Sequence, residues 1–430
     1  MIDSILKIDY PADKLTIQIL DNSTDDTVSI VQEHLEKIKN QGFRIEHIRR
    51  EKREGYKAGA LDYGFSLNQS PFVAIFDADF RPSSDFLKKT IPFFEDKEIG
   101  VVQTRWGHLN ETKSLLTRAQ TIMLDAHFGV EQLGRLSAGG FINFNGTAGI
   151  WRRSCIEDAG GWQADTLTED LDLSFRAQAK HWKFEFLRDV VSPAELPTSY
   201  GACRNHQFRW SKGAAECFRK NIKLLWTAPV STGAKVIGTF HLLNSSVYLL
   251  VLLLTAFAPF IFFLSVNGEL NNFEWIPLIG TSINLMLLIV FLGGKLICAG
   301  FSWRTLLWFI PSLFFFFSMS IGISLHTVMG VIEGYRGKKT PFIRTPKFGS
   351  IMKDKLTGDY QQKARYNLKL IEFAFFGYGF FWLIIGLRDM NPFVLVYSFI
   401  LITGFSLALF GDTKFRKRPG AKLEPSGFQV

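Results

Sequence analysis

Phe72-Val-Ala-Ile-Phe-Asp-Ala-Asp79 is the stretch that decides the fold. Five uninterrupted apolar residues suit a strand buried on both faces, and the run stops at a pair of carboxylates. The same grammar recurs on either side of it. Upstream, Leu15–Leu20 is an apolar strand ending in Asp21-Asn-Ser-Thr-Asp-Asp26, where Ser23 or Thr24 is placed to cap a helix running through His34 to Lys39. Phe43–Ile48 reads as a short strand, and Glu54-Gly-Tyr-Lys-Ala-Gly-Ala60 opens another helix. Downstream, Gly100-Val-Val-Gln103 is a further strand. Such alternation predicts an α/β domain with a mostly parallel sheet. Ligands of these sheets bind beyond the carboxyl ends of the strands, where Asp21 and Asp77–Asp79 lie.

The back half is a different material. Of the 49 Lys/Arg and 40 Asp/Glu that give the 430-residue chain its net charge of +9, residues 231–430 hold 19 and 9. That leaves 30 bases and 31 acids in front, so a near-neutral half precedes a basic, Phe-rich one. Val236–Gly268, Ile276–Gly294, Thr305–Ile332 and Pro392–Phe410 carry no charged residue, and Leu370–Leu387 carries only Glu372. A hydrocarbon core needs about 20 apolar residues per crossing, so these are membrane helices. The distribution excludes a small soluble domain, a disulfide scaffold and a disordered chain. It also argues against nucleic acid as a partner, because the excess charge lies among apolar spans. Four cysteines without metal-ligand spacing read as buried thiols, and no removable signal peptide is visible.

Three polar clusters are candidates for chemistry. Asp77-Ala-Asp79 is a hard-oxygen pair suited to Mg²⁺ or Mn²⁺ carrying a diphosphate, and equally to turn chemistry at a strand end. Thr168-Glu169-Asp170, near a helix start, offers a general base for an acceptor hydroxyl, or carboxylates that merely decorate the helix dipole. In His206-Gln-Phe-Arg209-Trp210 a guanidinium suited to phosphate oxygens adjoins an indole suited to a sugar ring; the plain alternative is an amphipathic face at a membrane surface.

Taken in order, Asp21, Asp77-x-Asp79, Thr168-Glu-Asp170 and Arg209-Trp210 resemble the family 2 glycosyltransferases of the cellulose synthase and cellulose synthase-like (mannan and glucan synthase) type. Gly55-Tyr-Lys57-Ala-Gly-Ala60, Val101-Val-Gln-Thr-Arg-Trp-Gly107, Phe144-Asn-Gly-Thr147 and Phe342-Ile-Arg-Thr345-Pro-Lys347 resemble it too, the last as a gating-loop signature with Arg344 in place of Val. The resemblance covers roughly residues 1–410. It implies a GT-A-type (Rossmann-like) α/β catalytic domain over 1–229, ending in an interfacial helix. A multi-pass helical membrane domain would follow over 230–411 with a cytosolic gating-like loop at 333–367, then a basic cytosolic tail at 412–430.

Residue by residue, it implies that Asp21 and Lys57 touch the nucleotide, and that Asp77 and Asp79 meet the diphosphate, with Asp79 on the Mg²⁺ or Mn²⁺. Asp170 would be the base with Glu169 beside it. Arg209 and His206 would steady the leaving diphosphate, Trp210 would stack on the acceptor, and Phe342, Thr345 and Lys347 would form the gating loop. The implied reaction is an inverting transfer of a hexose from a UDP- or GDP-linked donor to a growing β-glycan. A single transfer to a lipid acceptor, or a catalytically impaired scaffold in contact with membrane lipid, are the alternatives.

Departures from the family pattern carry expectations of their own. Asn22 stands where a second Asp is usual, and His206 where Gln is. Met1–Leu6 reads as the helix after a first strand, so a membrane helix and that strand are expected upstream. Counting Lys/Arg as cytosolic places the catalytic domain inside a cell (inner) membrane. Residues 333–365, with nine Lys/Arg against three acids, are then also inside, and Thr305–Ile332, with Pro311 and Gly322, is a broken or membrane-lying helix; the alternative is five crossings with the basic loop exported.

Overall fold

The computed structural model describes residues 1–39, 42–268, 275–340 and 366–412. The front half is an α/β domain. Strands β1 (Thr16–Asp21) and β2 (Arg44–Arg49) run parallel, in register from Thr16↔Arg44 to Asp21↔Arg49. Helix α1 (Thr27–Ile38) joins them and helix α2 (Tyr56–Ser66) follows. A second sheet contains β3 (Phe72–Ile75), β4 (Ile99–His108), β5 (Gly149–Arg152) and β6 (Lys183–Ala194), in the order β3-β5-β4-β6.

The mostly parallel sheet expected from the alternation is therefore corrected. β4 and β6 are parallel, but β5 enters antiparallel to both β3 and β4. Its four residues, Gly149-Ile-Trp-Arg152, are too short to show a period, so the sequence carries no sign of the direction in which they enter the sheet. The expected cap is also corrected. α1 starts at Thr27 after Asp26, and the Thr27 N–H is taken by the Asp25 carboxylate (3.1 Å) rather than by Ser23 or Thr24.

Helices α3 (Leu115–Ala126) and α4 (Glu169–Gln178) complete this domain. Its core gathers Val101, Phe128, Ile142, Phe144, Trp151, Leu173 and Phe184. The 28-residue α5 (Tyr200–Thr227), capped by the Ser199 hydroxyl, leads out of it.

The back half is helical: α6 (Thr232–Leu243), α7 (Val247–Val266), α8 (Trp275–Ala299), α9 (Trp303–Arg336), α10 (Lys369–Arg388) and α11 (Pro392–Phe410). Among the described residues, five helical stretches are long and apolar enough to cross a membrane. The span expected from Val236 is interrupted by the turn Asn244–Ser246, and its first part lies on the catalytic domain, with Gly238 against Leu225 and Phe175. The expected break in Thr305–Ile332 is absent, since α9 is continuous through Pro311. Gly322 instead allows a close crossing with α11, because any Cβ there would run into the carbonyl of Gly404.

Candidate active site

The site is assembled where the carboxyl end of β3, the Phe144–Thr147 turn, the start of α4 and the middle of α5 converge. Lys57, in the first turn of α2, donates from its ammonium to Asp77 Oδ1 (2.6 Å) and to the Gly146 carbonyl (2.8 Å). The Asp77 N–H in turn donates to Thr147 Oγ1 (2.8 Å). Gly146 sits at φ +79°, and a Cβ on it would lie 2.7 Å from Asp170 Oδ2, so this turn requires glycine for two separate reasons. Gln103, fully buried on β4, holds the turn by accepting from the Asn145 N–H (2.9 Å) and donating to the carbonyls of Thr147 and Ala148.

The carboxylates of α4 enter from the opposite side. Ser174 pins the helix by donating to the Asp170 carbonyl (2.6 Å) and accepting from the Phe144 N–H (2.9 Å). Gly213 lets α5 lie against Thr168, because a Cβ there would be 2.5 Å from the Thr168 methyl. This contact brings Arg209 and Trp210 to the cleft. His206 packs against Trp210 one turn away, the rings tilted by 47° with centroids 4.0 Å apart.

Charge balance decides the electrostatics. Lys57 and Arg209 face Asp77, Glu169 and Asp170, a net of −1 if all ionise. Burial pushes Asp170 up to about 7, the neighbouring Glu169 adds to the rise, and Lys57 opposes it. Burial likewise raises Glu169 against the pull of Lys57. Burial draws Arg209 down to about 10, opposed by Asp77 and Glu169. Lys57 is desolvated too, yet Asp77, Glu169 and Asp170 together hold its ammonium above the usual lysine range.

The remaining expected residues are distributed as follows. Lys57, Asp77, Glu169, Asp170, His206, Arg209 and Trp210 line one cleft. Asp79 adjoins it, its Oδ2 accepting from the N–H of the lining residue Glu195 (3.3 Å). Asp21 sits buried at the end of β1, held by the Ser23 N–H (2.7 Å) and His47 Nε2 (3.0 Å), and lines neither this cleft nor the cavity behind it. Despite its burial, those hydrogen bonds and the imidazole keep its carboxyl below the usual range. Asn22 accepts from Arg50 Nε (3.3 Å). Phe342, Thr345 and Lys347 lie outside the described residues.

Gly146, Gln103 and Trp106 were missed as site residues, although the motifs holding them were visible. The cleft is also lined by Trp106, by Tyr248 on α7 and by Met319 and Ile323 on α9. For a metal, Asp77 and Asp79 offer hard oxygens at a strand end. No group of three or more metal-ligating side chains occurs among the described residues, so a cation here would complete its shell with substrate oxygens, as Mg²⁺ commonly does. The donor set fits that role.

The family described as glycosyltransferase like family 2 matches residues 1–213. Over 274 residues the chain is 41% identical to glucomannan 4-β-mannosyltransferase 1 of Oryza sativa subsp. japonica, covering 60% of this chain and 53% of that protein. Over 379 residues it is 35% identical to probable glucomannan 4-β-mannosyltransferase 9 of the same rice, covering 84% and 68%. Against several of these curated relatives the chain spans about half their length or less (53%, 38% and 42%). Among solved structures it is similar to the mannosyltransferase PcManGT from Pyrobaculum calidifontis, in complex with GDP-Man and Mn²⁺ (18% identity, 79% of this chain and 83% of that one, TM-score 0.47). Another is S. aureus TarS 1–349 in complex with UDP-GlcNAc (14% identity, 78% and 84%, TM-score 0.39). With its Asp-x-Asp, Thr-Glu-Asp and Arg-Trp residues around one cleft and a rice relative matched over two thirds of its length, the chain belongs to the family 2 glycosyltransferases, in their cellulose synthase-like group.

Proposed function

We propose that this protein transfers a hexose, with inversion, from a nucleoside-diphosphate sugar to a growing β-glycan of the mannan or glucomannan kind. The observation that carries it is the Asp170 carboxylate, with Glu169 beside it, facing the cationic pair Lys57 and Arg209 across one cleft. One base with one stabilised leaving group is the equipment of a single in-line displacement. Asp170 takes the proton of an acceptor hydroxyl as that oxygen bonds to the anomeric carbon, and the bond to the diphosphate breaks. Lys57 and Arg209 meet charge that grows on the leaving oxygens, and so favour the transition state over the bound donor. Because the cluster is already net negative, a diphosphate needs further positive charge to settle there. Asp79, with Asp77, would hold a Mg²⁺ or Mn²⁺, which supplies that charge when bound. Trp210 and Trp106 offer flat faces for the acceptor sugar, and His206 backs Trp210. The mannosyl donor is inferred from the relatives' names.

The cleft's extension to Tyr248 and Ile323 leads the acceptor towards the bilayer, with the catalytic domain on the cytosolic side of a cell membrane. That same apolar floor would accept a lipid, so a single transfer to a membrane lipid is the second reading. The test is to give membranes containing the full chain radiolabelled GDP-mannose or UDP-glucose with Mg²⁺ or Mn²⁺. Alkali-insoluble polymer cut by a β-mannanase is expected. Label extracted wholly into organic solvent would favour the lipid reading, and no incorporation from any donor would overturn the enzyme.

A further inference from the structure

Beneath the site runs a line of buried charge that the chemistry above does not use. Lys212, one turn beyond Arg209 on α5, has a fully buried side chain. Its ammonium lies 3.0 Å from Glu333 Oε2 on α9 and 3.8 Å from Glu216 Oε1 on its own helix, and it also donates to the Lys338 carbonyl. The other oxygen of Glu333 takes Lys338 Nζ at 2.9 Å and the Tyr366 hydroxyl. The other oxygen of Glu216 accepts from the N–H of Leu167 at 2.8 Å, three residues before Asp170. Gly334 allows the helices to meet here, since a Cβ on it would be 2.6 Å from the Lys212 carbonyl.

Such an arrangement is poorly explained as a stability device. Desolvating an ammonium and two carboxylates costs about as much as their attraction returns, and well-packed apolar residues commonly do as well or better. What charge provides that methyl groups do not is a fixed direction. Glu216 cannot shift without breaking the Leu167 hydrogen bond or leaving Lys212 half-paired, and Lys212 cannot follow it without leaving Glu333.

We propose that Lys212 is a positioning residue for the transfer reaction: through Glu216 it fixes the Leu167–Asp170 segment relative to the membrane-domain helix α9. The claim of an effect on transfer rests on the function proposed above; the structural relay does not. A displacement of α9, at its Glu333 end, would be passed to the base through two ion pairs and one backbone hydrogen bond. Lys212 touches no substrate in this scheme and acts only through Glu216.

The test compares the full chain in detergent or membranes with Lys212→Met and with Lys212→Met/Glu333→Gln, which removes both charges of the Lys212–Glu333 pair. Hydrogen exchange of peptides covering 164–172 should rise in Lys212→Met, while strand 149–152 stays protected. In transfer assays kcat should fall roughly tenfold with the donor KM within about threefold, the signature of a misplaced base rather than a lost contact. The double variant should regain thermal stability but neither the slow exchange nor kcat. Unchanged exchange at 164–172 in Lys212→Met would overturn the proposal, and so would a double variant in which kcat returns together with stability. The exchange measurement needs no sugar transfer, so a wild type without activity would count against the proposed function while this inference is still decided.

Discussion

At the scale of the residue, Asp170 combines two roles that pull in opposite directions. As a base it must be ionised, yet burial and Glu169 push its titration up to about 7. Asp170→Asn should therefore retain donor binding and lose transfer by about 10³-fold or more, measured as kcat beside nucleotide affinity in isolated membranes. Wild-type kcat/KM should fall as the pH drops below about 7, where the carboxyl takes up its proton. Stability runs the other way. A carboxyl whose folded-state titration lies above its unfolded one favours the protonated fold, a contribution fully present below the unfolded value and lost as pH rises through about 7. Asp170→Asn should accordingly melt higher than wild type at pH 8, with the difference shrinking towards pH 5. A variant melting lower than wild type at pH 8 would mean that Asp170 is held ionised by contacts stronger than its burial.

The elements carry their own test. α9 meets the catalytic domain along its whole length. Phe309, Leu313 and Phe316 pack with Ala119 and Ile122 of α3, Gly330 lies against Phe208 and Gly334 against Lys212. A 34-residue helix is about 50 Å long, and this one touches the catalytic domain near both ends. Hydropathy makes α9 a candidate crossing, whereas Lys/Arg counting makes it membrane-lying. Its packing on α11 depends on Gly322 and Gly404, where each Cβ position is filled by the partner's backbone. Gly322→Leu should lower thermal stability in detergent by an amount corresponding to about 1–3 kcal/mol or more, the usual range for overpacking. A Gly377→Leu control, where a Cβ meets open space, should leave it unchanged.

On the scale of the whole molecule, the membrane-lying expectation for α9 predicts that Arg336 and Lys338 face the cytosol. A cysteine at Arg336, an exposed position, should be labelled by an impermeant maleimide only after cells are opened. Labelling of intact cells would place the end of α9 outside and require five crossings. Gly337 is unsuitable for this purpose, being at φ +69° with Arg219 against its Cβ position.

What the sequence determined by itself were those features written in local order. Buried strands ending in carboxylates, charge-free runs of about 20 residues and the ordered motifs gave the two halves, the α/β class and seven residues that line one cleft. The tertiary structure alone decided the sheet's mixed direction, because a four-residue strand such as Gly149–Arg152 has too few side chains to reveal its neighbours. It alone showed that Asp21 is taken up by His47, since a hydrogen bond between residues 26 apart leaves no spacing to read. The same holds for Lys212. On the sequence it is one more cation on an amphipathic helix, and only the approach of Glu333, 121 residues away, makes it a buried pair. Burial and long-range proximity set the protonation of Asp170, and neither is encoded in the Thr-Glu-Asp motif that revealed it.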